Sequence, residues 1–79
     1  MSEAEGLAAR VSVILEHTEL CHRLNQELTF DEWHEALAAG TAASKAAYAA
    51  ESKWSQKIEV SLKATCEAYR EALRRKESK

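Results

Sequence analysis

The chain contains no proline and only two glycines, Gly6 and Gly40. Proline is the residue that most strongly interrupts a helix, so nothing of that kind divides these 79 residues. Valine and isoleucine number only five together, and no stretch alternates apolar and polar residues as a half-buried strand would. These shortages argue against a sheet. The two cysteines, Cys21 and Cys66, lack CxxC spacing, which argues against a clustered thiol metal or redox motif. No glycine-rich phosphate loop is present. The start, MSEAEG, is acidic and no apolar segment follows it, unlike a secretory signal. The longest run of large aliphatic residues, Val13-Ile14-Leu15, is far too short to cross a bilayer. The expectation is a cytoplasmic protein with reduced thiols.

What the chain does have is alanine, with glutamate, lysine, leucine and arginine well represented. These are the best helix formers, and they predict an all-α protein. A chain this short makes one domain and buries only about 60 % of its unfolded surface, so its core is small. The net charge of −2 is unevenly spread. Residues 1–28 carry five Glu against two Arg (−3), residues 29–50 three acids against Lys45 (−2), and residues 51–79 eight Lys or Arg against five Glu (+3). An acidic front and a basic back suit helices that lie against each other, within one chain or between two.

The pattern predicts three helices. The first spans about 2–28, opened by a Ser2-x-x-Glu5 capping box. Along it Leu7, Val11, Ile14, Thr18, Cys21, Asn25 and Leu28 follow at heptad steps, weakened by Thr18 and Asn25. Val13, Leu20 and Leu24 form an adjacent stripe, so the apolar arc is wider than one neighbour needs. Thr29-Phe30-Asp31-Glu32 is a second capping box, opening a short helix over about 30–39. Gly40 then stands as a C′ glycine before a long helix over about 41–76, in a helical hairpin or three-helix arrangement. Alternatively Gly40 is a kink in a single rod, since glycine costs only about 1 kcal/mol inside a helix.

Both layouts leave the second half of the long helix without cover from its own chain. Trp54, Ile58, Leu62, Tyr69 and Leu73 form a stripe there, which predicts a homodimer built on those five residues.

The residues able to carry chemistry also have simpler roles. Glu19-x-x-His22 has the spacing of carboxylate–histidine metal ligands, and Asp31-x-x-His34 repeats it with Asp, but the long helix supplies no His. No metal or other cofactor is expected. Cys21 and His17 share a helix face, yet no orienting third group is visible, so no catalytic activity is expected. Ala36-x-x-x-Gly40 resembles the turn of a helix-turn-helix, and the alternative reading is a DNA-binding regulator that dimerises through the long helix. The acidic setting of that turn argues against nucleic acid as a partner. Phe30, Trp33, His34 and Tyr48 form an aromatic corner suited to docking another protein. The function expected from sequence is a small non-enzymatic helical dimer that binds another protein as adaptor, chaperone or inhibitor.

Overall fold

The computed structural model describes the backbone of residues 3–78 and the side chains of residues 5–78. Ser2, with its expected capping role, and Lys79 lie outside the described residues. Within them the chain is all-α, with three helices and no strand. Helix α1 runs Glu3–Glu27, α2 runs Phe30–Ala50, a single 3₁₀ turn covers Trp54–Gln56, and α3 runs Lys57–Glu77.

The junction after α1 forms as the local sequence dictates. Thr29 is extended, its hydroxyl accepts the Glu32 N–H at 3.3 Å, and the Glu32 carboxylate accepts the Thr29 N–H at 2.9 Å. That reciprocal pair satisfies two of the donors a helix start leaves bare.

The next break is elsewhere than expected. Gly40 neither ends nor starts a helix: α2 continues through it to Ala50, and the chain turns at residues 51–53. The expected short helix over 30–39 and long helix over 41–76 are thus replaced by two helices of 21 residues each. No residue near the turn is a helix breaker. The cause is tertiary: a continuous rod would leave Cys66, Tyr69 and Leu73 in water, and folding back buries all three. The turn is held by polar contacts. Glu51 still donates its N–H to Ala47 O and accepts the Lys53 N–H on its carboxylate at 2.9 Å. Lys57 Nζ donates to Tyr48 O at 2.7 Å and lies 4.6 Å from the centre of the Tyr48 ring.

Helix α3 is central. It runs antiparallel to α2, with Glu32 meeting Lys76 at one end, Gly40 meeting Tyr69 in the middle and Tyr48 meeting Lys57 at the other. It runs parallel to α1, with ion pairs Glu16–Arg70 and Arg23–Glu77 across that seam. Contacts between α1 and α2 are few. The core joins Leu20 and Leu24 of α1, Ala36 of α2, and Cys66, Tyr69 and Leu73 of α3, with Trp33, Leu37 and Leu28 packed on its border. Each leucine fully buried in this way contributes about 1.5–3 kcal/mol. All of this lies in the half of the molecule near the α1–α2 junction. In the other half α2 presents alanines, which allow close approach but supply no bulk.

Candidate protein-binding surface

Helix α1 has two apolar faces. Val13, Leu20 and Leu24 are buried, whereas Leu7, Val11, Ile14 and Leu15 are each about half exposed or more. At about 100° per residue, the mean direction of Leu7, Val11 and Leu15 lies roughly 160° around the helix from that of the buried three. The N-terminal half of α1 therefore packs on its own chain with one side and presents apolar side chains on the opposite side. A helix that is apolar on two faces is one that two neighbours cover.

The outward strip continues onto the start of α3. Trp54 is 77 % exposed and Ile58 is 64 % exposed. With Arg10, Val13 and Ile14 from α1, and with Ser55, Glu59 and Leu62, they line a groove of about 390 Å³. The Trp54 ring meets the Tyr48 ring at 78°, with centres 6.5 Å apart, and next to it Arg10 Nη2 donates to Ser55 O at 3.5 Å. The indole thus has an aromatic neighbour and most of its surface in water, the posture of a docking anchor.

The aromatic corner expected from sequence is not one site. Phe30, Trp33 and His34 do meet at the start of α2, with ring centres 6.1 Å apart for Phe30–Trp33 and 6.3 Å for Phe30–His34. Phe30 and His34 are exposed, but Trp33 packs against the core. Tyr48 stands at the far end of α2, roughly 27 Å from that cluster along the helix, and is engaged with Trp54 and Lys57.

The five residues expected at a dimer interface also divide. Trp54 and Ile58 are exposed and Leu62 borders their groove. Tyr69 and Leu73 are 6 % and 2 % exposed and belong to the core of the single chain. That part of the expectation fails because α3 starts only at Lys57, so α1 and α2 both reach its second half. The residues that sequence reasoning placed in a weak seam, Leu7, Val11 and Ile14, are the ones left open. Leu15 belongs to neither of the stripes the heptad pattern defines on α1. Its signal was the width of the apolar arc on α1, which exceeds what one neighbour can cover.

The remaining chemistry is muted. Cys21 Sγ lies 3.9 Å from both ring nitrogens of His17, and burial pushes the thiol pKa up, opposite to what a nucleophile needs. Cys66 and Tyr69 are pushed up too, first by burial and then by the proximity of Cys21. Glu19 and His22 are both exposed, and among the described residues no three His, Cys, Asp or Glu side chains cluster as metal ligands. The basic end of α3 is paired: Arg70 with Glu16, Arg74 and Arg75 with Glu71, and Lys76 with Glu32. The helix-turn-helix alternative required a turn at Gly40, where the chain is helical. No helix among the described residues is long and apolar enough to cross a membrane. No protein-family model matches the chain, and neither does any curated protein or solved structure.

Proposed function

We propose that this protein is a non-enzymatic helical module that acts by binding another protein, in the manner of an adaptor, chaperone or inhibitor. Its docking face is the strip formed by Leu7, Val11, Ile14 and Leu15 of α1 with Trp54 and Ile58. The observation that carries this reading is the second apolar face of α1, which the chain's own helices leave open. Apolar strips of this extent on soluble proteins mark interaction sites. The thiols, whose pKa values burial raises, and the pairing of the basic end of α3 with acidic side chains support the same reading. The test is capture on the tagged chain after nuclease treatment, with wild type and Leu15→Glu compared. A protein held by wild type and released by Leu15→Glu, with helical content unchanged, is the expected result. Capture that depends on nucleic acid, or that is indifferent to Leu15→Glu, would overturn the reading.

A further inference from the structure

The isolated chain exposes more surface than its mass accounts for. Its accessible area is 5727 Å², whereas a folded monomer of 8.8 kDa exposes about 4,800 Å². Its radius of gyration is 13.6 Å, against about 11.6 Å for a compact domain of this length. The excess area, roughly 900 Å², is close to the ~800 Å² that each partner loses in an interface of standard size. Six bulky apolar residues, Leu7, Val11, Ile14, Leu15, Trp54 and Ile58, are each about half exposed or more.

We infer that a second copy of this chain covers the α1 ridge of the strip, with α1 packed antiparallel on α1 across a twofold axis at Val11. The inference rests on the docking-face reading and names the occupant of that ridge when no foreign partner is bound. Its warrant is self-complementarity, which a twofold interface requires because the same patch serves both sides. Leu7, Val11 and Leu15 stand at four-residue steps and form one ridge. Ala8 and Ser12 lie beside them and complete the same shallow surface groove. With the helices antiparallel, the ridge of each copy fills the small-residue groove of the other, as i±4 ridges do in helix packing. Leu7 of one copy then meets Leu15 of the other. Leu7, Val11, Leu15, Ala8 and Ser12 carry no charge, and the ridge ends at Glu19, an exposed carboxylate one step beyond Leu15. Glu16, just outside the groove, is already paired with Arg70, so the other copy does not approach a bare carboxylate there.

Sedimentation equilibrium on the full chain from about 1 µM to about 1 mM tests this, a range set by the affinities small interfaces give. The expected mass is twice 8.8 kDa for wild type and half of that for Leu15→Glu, with far-UV circular dichroism unchanged because Leu15 is outside the core. Mild oxidation supplies the orientation. Val11→Cys cross-links to itself within the reach of a disulfide, whereas Leu7→Cys does not, since antiparallel pairing holds its two copies roughly 12 Å apart along the axis. The unsubstituted chain is the control for Cys21. Self-cross-linking of both variants would overturn the antiparallel arrangement. A wild-type chain that stays monomeric throughout overturns the second copy as occupant. If that monomer still loses a foreign partner through Leu15→Glu, the docking face stands without it. If Leu15→Glu alters neither assembly nor capture, both readings fall.

Discussion

Gly40 lies directly beneath the ring of Tyr69: a Cβ on Gly40 would sit 2.6 Å from Tyr69 Cε1 and 3.3 Å from Thr65 Cγ2. The glycine is buried in the interior of α2 and has an ordinary helical backbone, so conformational freedom is not its role. It makes room. The Tyr69 ring enters the space a methyl group would fill, and Thr65 Oγ1, which donates to Ser61 O at 3.0 Å, lies 3.4 Å from Gly40 O in the same crossing.

Gly40→Ala therefore sets two effects against each other. Helix propensity favours alanine by about 1 kcal/mol. The clash with a ring held by His17 on one side and the core on the other costs about 1–3 kcal/mol. The clash wins, and the expected outcome is a melting temperature lowered by roughly 4–8 °C. In a Tyr69→Leu background the same substitution should be neutral or stabilising, because Cε1 is gone. Thermal melts of the four proteins of this cycle check it. A Gly40→Ala chain that melts higher than wild type would show that the α2–α3 spacing relaxes.

The same pair shows what the sequence can and cannot convey. The capping box at Thr29 and Glu32 was readable because all its partners lie within four residues. The wide apolar arc of α1 was readable too, since it follows from a fixed helical period. Gly40 offered only its local meanings, a cap or a kink, whereas its actual reason is a ring from a distant helix. The turn at residues 51–53 has no local signal at all. It exists because burying Tyr69 and Leu73 outweighs the helix propensity of the residues around it, and that comparison requires the fold. The division of the dimer stripe followed from the same hidden turn.

Phe30 and Trp33 touch each other yet differ in what they support. Trp33 packs against the core cluster and Phe30 is 74 % exposed. Trp33→Ala should cost about 2–3 kcal/mol, somewhat below the loss for a fully buried tryptophan, and lower the melting temperature by roughly 10 °C or more. Phe30→Ala should cost less than about 1 kcal/mol, because it loses only exposed ring contacts with Trp33 and His34. Urea unfolding of both variants decides this. A Trp33→Ala chain as stable as wild type would move Trp33 out of the core and make it a docking residue after all.

Glu32 is the carboxylate most altered by the fold. The Thr29 backbone N–H holds its pKa down to about 2 from an ordinary 4.5, and the Lys76 ammonium at 2.9 Å adds to this. Because the folded value is the lower one, the ionised form favours the folded chain. That contribution is complete above about pH 4.5 and disappears as pH falls toward about 2. Glu32 is partly exposed, so the Lys76 pair itself adds little in water and is weakened by salt, whereas the bond to Thr29 N–H is short-ranged and persists. Glu32→Gln should thus lower the urea midpoint at neutral pH and flatten its decline between about pH 5 and pH 2. Thr29→Ala, which removes only the hydroxyl half of the box, should cost about 1 kcal/mol and leave most of that decline in place, because the Thr29 N–H and Lys76 still hold the carboxylate. Urea midpoints for the three proteins across this pH range distinguish the two halves of the cap. If Glu32→Gln keeps the full acid sensitivity of wild type, the titrating group lies elsewhere.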